Sequence, residues 1–567
     1  MSNMRFHRLS LGVFAVALLL GAAPQPLELA FSGLPPLAGL ALSPQGGLFA
    51  TVSAQGGLVI QIFGSKSWTA LARTGGQPRG LAFDDAGDLY VADNALGRIL
   101  RITPWGETLV AAARCGGAPI IAPEGVAVAA DGAVYFTDTG ASRVCRVGKQ
   151  GDSEVLTSEV KLPGAIAVSA DGLFVADSAR KIWRVSHDGK QTIQYATVPE
   201  GRPTGMALDE KGTLYVALQG AGKVVALTPA GTLTTAGSVP GPESGPVAFG
   251  GIDMRTLFIG ESSAGAVYKS RPPNRALRQV WESDPPDGAV RDPKLVPCYR
   301  FSTDDNIWFL RDIARNEDKY KSIFDNPYLA MWRDLHSKYG TKVHHNLYYQ
   351  TEGFNLSQMP DKYRAEWQRN SDWMRLSFHA LANNPDRPYI HASAEQIVRD
   401  YRLVVREIER FAGKEVLHPI TTIHWGETTL AAARALRREG IRILAGYFEV
   451  RNDLPAVGYY LTVPQLRHMM GRDYWKDTRE DILFVRHDIV VNTVPLAGID
   501  GHLERVASDP NQSQVMELMI HEQYFYPDYQ AYEPDYRQRV ERAIEWVTKR
   551  GYKPVFFEEE PWTAATR

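Results

Sequence analysis

In the second half of the chain, each of four apolar runs ends at a side chain that can bind a metal or carry a proton. One strand-like run ends in the adjacent carboxylates Asp304 and Asp305, and similar runs precede His379, His424 and His521. Parallel-barrel enzymes place ligands and catalytic groups at the C-terminal ends of their strands. Adjacent Asp side chains at a strand end diverge, so one is able to bind a metal while the other accepts a proton. This pattern predicts metal-assisted acid–base chemistry.

The elements that must position these side chains follow from the pattern of residues 298–567. Apolar runs bounded by turn residues alternate there with stretches of helical periodicity. This alternation predicts βα units, and about seven or eight such units suit a distorted α/β (β/α) barrel. The predicted strands are 298–303, 342–349, 373–378, 420–424, 441–448, 482–491, 515–521 and 553–557. The predicted helices include 326–339, 394–411, 428–439 and 535–550.

The first half contains a sequence repeat between residues 28 and 272. In its clearest copy, an apolar run after Pro78 leads through a turn at Gly87 to a second run that ends at Asp93. The period of about 40 residues is the spacing of β-propeller blades, which bury both sheet faces by stacking around an axis. The pattern therefore predicts an all-β, six-bladed propeller. The six copies begin at Pro36, Pro78, Pro123, Pro163, Pro203 and Pro246.

The repeat resembles NHL-repeat and gluconolactonase-like propellers, and residues 247–258 are especially similar to a late blade of the lactonases. That resemblance implies a divalent metal at the axis, held partly by Asn in Pro-Asn turns. The matching turns here carry Glu124 and Thr204, so we interpret the propeller as a binding or docking module. The aspartates near the ends of the repeats are predicted to cap turns: Asp93, Asp138 and Asp177.

The cysteines indicate a possible disulfide, and a Pro-rich segment indicates where the first half of the chain ends. Cys115 and Cys145 both lie in the first half, where they can pair in an oxidising compartment or remain buried thiols. Cys298 stands by itself at the start of the second half. Residues 273–297 are rich in Pro and polar groups and are predicted to be a linker.

The N-terminus has the pattern of an export signal. Arg5 and Arg8 precede an apolar run over 11–20 and small residues at 21–23. We therefore predict a signal peptide over residues 1–23 and a periplasmic or secreted protein, with an uncleaved anchor as the alternative. No membrane span is predicted after signal cleavage. The formal net charge of −2 gives no electrostatic reason to expect nucleic acid as a partner.

The second half resembles the NodB-type polysaccharide deacetylases, which are metal-dependent carbohydrate esterases. Phe301-Ser-Thr-Asp304-Asp305 matches the first motif of that family, Thr-Phe-Asp-Asp. Ser377-Phe-His379-Ala-Leu-Ala-Asn383 is similar to the middle motif, His-Ser/Thr-x-x-His, with Asn in place of the second histidine. Leu518-Met-Ile-His521 matches the late Leu-x-His motif. The resemblance implies hydrolysis of acetyl groups on a polysaccharide or oligosaccharide.

The resemblance also implies individual roles. Asp304 would be the general base that deprotonates water, and Asp305 and His379 would bind a divalent metal, with Zn²⁺ as the expected ion. His521 would be the general acid that protonates the leaving amine or alkoxide. The metal is expected to polarise the acetyl carbonyl and lower the pKa of water.

The remaining metal ligand is left open between two residues. Asn383 occupies the motif position of a histidine, whereas His424 ends the next predicted strand and should face the same rim. The sequence also leaves open whether the nearby groups serve the site. Arg387 is a candidate to orient a site carboxylate, Glu449 to line the cleft, and Trp425 and Tyr524 to stack on a sugar ring.

Three other functions stay open at this level. A barrel glycoside hydrolase would use two carboxylates, for example Asp304 with Glu449. The second half would alternatively be a non-catalytic glycan-binding or scaffold domain. A lactonase in the propeller is the third possibility, against which Glu124 and Thr204 argue. The propeller is also a candidate surface for a protein partner.

Overall fold

The computed structural model describes residues 27–147, 153–283 and 295–557. The chain divides into two compact units, one comprising residues up to Glu282 together with Asn452–Leu454, and the other comprising the rest. The predicted signal peptide over residues 1–23 lies outside the described residues. Within the described ranges, no helix has both the length and the apolar character needed to cross a bilayer.

The first unit is a six-bladed β-propeller, as the repeat predicts. Each blade is a four-stranded antiparallel sheet, in the orders β2-β3-β4-β5, β6-β7-β8-β9, β12-β13-β14-β15, β16-β17-β18-β19, β20-β21-β22-β23 and β24-β25-β26-β1. The ring closes because the N-terminal strand β1 pairs with β26 of the last blade. The strands are β1 (Glu28–Phe31), β2 (Gly39–Leu42), β3 (Leu48–Val52), β4 (Leu58–Gly64), β5 (Ser67–Arg73), β6 (Pro78–Phe83), β7 (Leu89–Asp93), β8 (Arg98–Ile102), β9 (Thr108–Ala112), β10 (Arg114–Cys115), β11 (Ala118–Pro119), β12 (Pro123–Val128), β13 (Val134–Asp138), β14 (Arg143–Val147), β15 (Ser153–Thr157), β16 (Ile166–Ser169), β17 (Gly172–Ala176), β18 (Lys181–Val185), β19 (Thr192–Thr197), β20 (Arg202–Leu208), β21 (Leu214–Gln219), β22 (Lys223–Leu227), β23 (Leu233–Ser238), β24 (Ser244–Gly250), β25 (Thr256–Glu261) and β26 (Ala266–Ser270).

Glycines on the first strands of the blades let those strands approach one another closely. A Cβ added at Gly125 would lie 2.6 Å from the carbonyl oxygen of Gly164 on the next blade. A Cβ at Gly205 would lie 2.7 Å from the carbonyl oxygen of Gly245. The Pro-x-Gly start of these repeats is therefore a steric requirement for packing blades around the axis.

We expect Gly125→Ala to destabilise the propeller by about 1–3 kcal/mol, because the added methyl group forces backbone of two blades apart. Gly64→Ala is the matched control, since a Cβ there has its nearest neighbour, Ser67 Cβ, at 4.0 Å. Urea unfolding followed by tryptophan fluorescence compares the two variants. Equal midpoints for both variants would contradict the packing argument.

The aspartates of the repeats cap turns, as predicted. Asp93 accepts hydrogen bonds from the backbone N–H groups of Gln77 (2.9 Å) and Leu96 (3.1 Å). Asp138 accepts from two backbone N–H groups and forms a buried ion pair with Arg143 at 2.9 Å. In the same blade region, Cys115 and Cys145 form a disulfide, which ties the β10 hairpin to β14.

The second unit consists of parallel sheets with helices between their strands. Its strands are β27 (Cys298–Asn306), β28 (Val343–Tyr348), β29 (Gln350–Thr351), β30 (Phe354–Asn355), β31 (Met374–Ala380), β32 (Ile420–Thr421), β33 (Ile443–Gly446), β34 (Glu449–Arg451), β35 (Leu454–Val457), β36 (Tyr474–Asp477), β37 (Ile482–Arg486), β38 (Ile489–Val490), β39 (Val515–His521) and β40 (Lys553–Pro554). Its α-helices are α1 (Trp308–Arg315), α2 (Pro327–Tyr339), α3 (Arg364–Arg369), α4 (Ala394–Phe411), α5 (Leu430–Arg438), α6 (Val463–Met470), α7 (Ile499–Ser508) and α8 (Tyr536–Lys549).

The helix ends follow local sequence rules. Asn326 caps α2 by accepting from the Leu329 N–H at 3.0 Å, Pro327 occupies the first turn, and Gly340 ends the helix in the left-handed region. Ser393 and Thr429 cap α4 and α5 in the same manner. These side chains explain why the helix bounds read from the sequence are nearly those observed.

Apart from the two-stranded sheets β29-β30 and β34-β35, the strands pair into two sheets rather than into one continuous ladder. The larger sheet has the parallel order β31-β28-β27-β39-β38, with β40 beside β27, and the smaller has the order β32-β33-β37-β36. The strand pairs in these two sheets are parallel, except that β36 pairs antiparallel with β37. Hydrogen bonding between the described strands thus gives two mainly parallel sheets with helices and no continuous ladder between them. Two predicted strands are shorter than expected: the strand predicted over 420–424 is reduced to Ile420–Thr421, and the one predicted over 482–491 is interrupted after Arg486.

Candidate metal centre

The candidate site lies where the parallel strands of the larger sheet end. Asp304 and Asp305 are near the end of β27, and Asp304 is in register with His521 at the end of β39. Tyr348 ends β28, and His379 is the penultimate residue of β31. Parallel pairing brings these ends to one edge because all the strands run in the same direction.

Asp305, His379 and His424 form a compact group of ligand atoms. Asp305 Oδ1 lies 3.1 Å from His379 Nε2 and 3.4 Å from His424 Nδ1, and the two imidazole nitrogens are 3.2 Å apart. A tetrahedral ion with bonds of about 2.0 Å has ligand atoms about 3.3 Å apart. The three atoms are therefore spaced as the ligands of one divalent ion. Among the described residues, this is the group of His, Cys, Asp and Glu side chains close enough to hold a metal.

The ring of His379 is oriented by a contact on the nitrogen that faces away from Asp305. His379 Nδ1 contacts the carbonyl oxygen of Thr422, which leaves Nε2 directed at Asp305. Such a partner on the second ring nitrogen fixes the tautomer of a metal-binding histidine. Asp305 has a backbone φ of 63°, in the left-handed region that a residue with a side chain rarely adopts.

The surroundings of Asp304 and Asp305 shift the pKa values of the two carboxyl groups in opposite directions. Burial acts to raise the pKa of Asp305, but hydrogen bonds with His379 and His424 outweigh it and lower the pKa well below the ordinary value. Burial raises the pKa of Asp304, and the nearby His379 and His521 offset this only in part. Such divergence separates a group that stays ionised from one able to exchange a proton.

His424 belongs to the cluster, but its position in the secondary structure differs from the one predicted from the sequence. It does not end a strand, because β32 stops at Thr421 and His424 begins a short 3₁₀ turn over His424–Gly426. Trp425 has a φ of 65° in that turn and is 38% exposed. Asn383 contacts the cluster indirectly, through its Oδ1 at 3.2 Å from the Tyr348 hydroxyl.

His521 lies beside the cluster rather than in it. Its Nδ1 is 3.0 Å from Asn492 Oδ1, and its ring packs 6.0 Å from the ring of Tyr524. It is one of the neighbouring groups that act to lower the pKa of Asp304 and the pKa of Asp305. The Asn492 contact fixes the ring at the same edge of the sheet as the two carboxylates.

Two further polar side chains contact Asp305 that sequence reasoning did not single out. The Tyr348 hydroxyl donates to Asp305 Oδ1 at 2.5 Å and lies 3.0 Å from His424 Nδ1. Gln523 Nε2 donates to Asp305 Oδ2 at 2.5 Å. The available signal was position, since Tyr348 is the penultimate residue of the strand predicted over 342–349 and Gln523 follows His521 by two residues.

The remaining candidates have other contacts. Arg387 forms an ion pair with Glu427 and lies 4.5 Å from the centre of the Trp425 ring. The carboxylate that it braces is therefore Glu427. Glu449 begins the short strand β34 and forms an ion pair with Arg451. Tyr524 is half-buried and belongs to a group of rings that includes Tyr529 at 5.2 Å.

A charged network is buried on the strands that carry the site. Arg300 and Glu517, both with fully buried side chains, form an ion pair of 2.6 Å between β27 and β39. Ser302 Oγ donates to Glu517 at 3.1 Å, and Arg300 Nη1 lies 2.5 Å from His344 Nδ1. This network fixes the register of the two strands that end in Asp304 and His521.

The propeller is similar to known proteins. Residues 32–268 match the model of the virginiamycin B lyase family. A virginiamycin B lyase of Nocardia farcinica is 31% identical over 225 residues, which cover 38% of this chain and 77% of that protein. A 6-deoxy-6-sulfogluconolactonase of Pseudomonas putida is 28% identical over 135 residues, covering 22% of this chain and 46% of that protein. A solved gluconolactonase structure from Xanthomonas campestris has a TM-score of 0.39 and 19% identity, covering 45% of this chain and 98% of that one.

Proposed function

The chain belongs to the virginiamycin B lyase family, and we propose that its second unit adds a separate activity, the metal-dependent removal of acetyl groups from a glycan. The observation that carries this proposal is the spacing of 3.1–3.4 Å among Asp305 Oδ1, His379 Nε2 and His424 Nδ1. The resemblance of the segments around Asp304, His379 and His521 to NodB-type motifs supports the same reaction class.

The proposed roles follow from the contacts of each group. Asp305, His379 and His424 hold the ion, for which Zn²⁺ suits two imidazoles and one carboxylate. When bound, such an ion supplies Lewis-acid chemistry at the acetyl carbonyl. Asp304 accepts a proton from the attacking water, for which its raised pKa makes it a better base. His521, oriented by Asn492, donates a proton to the leaving amine or alkoxide.

We also propose that the two sheets of the second unit together form a distorted barrel. An isolated parallel bridge between Leu376 and Leu417 continues the larger sheet toward β32. An apolar cluster contains residues of both sheets, among them Cys298 and Val515 from the larger and Ile443 and Val485 from the smaller. In this proposal, exposed Trp425 and half-buried Tyr524 contact a sugar ring.

The proposed setting is an exported protein that acts on a polysaccharide or oligosaccharide in the periplasm or outside the cell. The propeller binds the polymer or a protein partner in this proposal. The signal-like N-terminus supports export, and the disulfide between Cys115 and Cys145 is suited to an oxidising compartment.

Removal of the metal tests the proposal directly. Full-length protein is analysed for bound metals by mass spectrometry, and acetate release is measured on a panel of N- and O-acetylated glycans. We expect one bound divalent ion, loss of acetate release by about 10-fold or more after chelation, and recovery on adding Zn²⁺.

The rival functions give different results in the same experiment. A glycoside hydrolase releases sugars, is insensitive to the chelator and depends on two carboxylates. A non-catalytic glycan-binding protein retains the glycan but releases no acetate from any substrate in the panel. Either result contradicts the deacetylase proposal.

Family membership favours a second candidate function, a lyase or lactonase reaction at the propeller axis. The first strands of the blades surround a cavity of about 110 Å³, with Glu124, Arg202 and Thr204 among its lining residues. Incubating the Asp305→Ala variant with virginiamycin B and with sugar lactones tests this candidate without interference from the second unit. Product formation by that variant would assign an activity to the propeller.

A further inference from the structure

Three consecutive residues, the last residue of β39 and the two that follow it, lie beside the end of β27 that carries the two site carboxylates. His521 is the β39 partner of Asp304 in the parallel register. Glu522 contacts the backbone immediately after β27, and Gln523 contacts the side chain of Asp305. A single segment thus contacts both sides of the carboxylate pair, although it lies more than two hundred residues away in the sequence.

Glu522 caps the helix that follows Asp305. Its fully buried carboxylate accepts hydrogen bonds from the backbone N–H groups of Ile307 (2.7 Å), Trp308 (3.0 Å) and Phe309 (2.6 Å). The residue before α1, Ile307, has no side chain able to accept these bonds. A carboxylate is favoured at a helix N-terminus because it satisfies free N–H groups and the helix dipole. This contact fixes the start of α1 against the end of β39.

Gln523 distinguishes the two oxygens of Asp305. Its Nε2 donates to Oδ2 at 2.5 Å, whereas Oδ1 faces His379 Nε2, His424 Nδ1 and the Tyr348 hydroxyl. An amide donor on one oxygen favours metal binding through the other. The left-handed backbone of Asp305 is an unfavourable conformation that the surrounding contacts must maintain.

We propose that Glu522 and Gln523 are positioning residues that hold Asp305 so that Oδ1 is presented to the ion as a single-oxygen ligand. This inference rests on the proposed metal site of the second unit and deepens it. Partners of metal ligands set ligand orientation, and their loss commonly lowers metal affinity 10- to 100-fold. Neither residue contacts the reacting atoms in this proposal.

The test measures metal affinity in the full-length protein, independently of catalysis. Zn²⁺ affinity is measured by competition with a chromophoric chelator, and the Co²⁺-substituted protein is followed by its visible absorption spectrum. We expect Gln523→Ala to weaken Zn²⁺ binding by about 10- to 100-fold and to alter the Co²⁺ spectrum. Gln538→Ala, on the exposed face of α8, is the matched control and should leave both readouts unchanged.

A second variant guards against misfolding as the cause. Glu522→Gln retains the size of the side chain but replaces one acceptor oxygen with a donor, so it should also weaken Zn²⁺ binding. Circular dichroism and the unfolding midpoint verify that each variant is folded. If Glu522→Gln does not fold, the conclusion rests on Gln523→Ala, because that substitution removes no hydrogen bond to the backbone at the start of α1.

The outcomes separate this inference from the proposed activity. A Gln523→Ala variant whose Zn²⁺ affinity is within twofold of the parent overturns the positioning role, and a parent that binds neither Zn²⁺ nor Co²⁺ overturns both proposals. Weakened metal binding in Gln523→Ala, together with no acetate release by the parent on any glycan, supports the positioning role while rejecting the deacetylase function.

Discussion

The Asp305→Ala variant is expected to bind no stoichiometric divalent metal and to lose acetate release by at least about 10²-fold. Asp305 Oδ1 is the atom that both histidines share, so its removal leaves His379 and His424 without the anionic ligand between them. Metal content by mass spectrometry and acetate release on the responsive glycan measure the two effects.

The Asp304→Asn variant is the matched control, because Asp304 is adjacent to Asp305 but is assigned proton transfer rather than metal binding. We expect it to retain the metal and to lose about 10²- to 10⁴-fold in kcat, since an amide accepts no proton from water. Asn346 Nδ2 donates to Asp304 at 2.6 Å, and the side-chain carbonyl oxygen of the variant can accept the same hydrogen bond. Loss of the metal in Asp304→Asn, or retention in Asp305→Ala, would reverse the roles assigned to the two carboxylates.

Arg300→Met is expected to destabilise the second unit by about 3–5 kcal/mol, because it leaves a buried carboxylate without its cation. Glu517 lies fully buried against Arg300, with bonds of 2.6–3.0 Å to the guanidinium. Denaturant unfolding of the full-length protein, with fluorescence resolved for the two units, measures the loss. We expect the propeller to unfold at the same denaturant concentration in the variant as in the parent protein.

The double variant Arg300→Met/Glu517→Leu isolates the cost of the unpaired charge. Replacing both members of a buried ion pair with apolar groups is commonly close to neutral. We therefore expect the double variant to be more stable than Arg300→Met. If the single and double variants unfold at the same denaturant concentration, the loss arises from packing rather than from an unpaired carboxylate.

The blades were predictable from sequence because their determinants are local. Each repeat carries its own strand alternation, its own turn and its own inner glycine, so six copies such as those at Pro78 and Pro123 specify six sheets. The helices α4 and α8 were predictable for the same reason, since Ser393 caps one and apolar periodicity marks both. The strand over Val515–His521 was predicted with its observed bounds.

Where prediction failed, the controlling contacts were distant in the chain. The run before His424 has strand composition, yet only Ile420–Thr421 pairs, because the chain turns to bring the histidine toward Asp305. The interruptions of the strands predicted over 420–424 and 482–491 could not be predicted for the same reason, since hydrogen bonding at these positions depends on the neighbouring strands. Gln523 carried no motif signal, because its role exists only once β39 lies beside β27.

The sequence by itself determined the repeat number of the propeller and the residue types placed at the ends of the parallel strands. Both are properties of short segments, set by hydrophobic period and turn chemistry. Only the tertiary structure decided that Asp305, His379 and His424 share one point in space. That outcome depends on strand register, on the left-handed backbone at Asp305 and on donors such as Gln523, which contacts across long stretches of chain fix together.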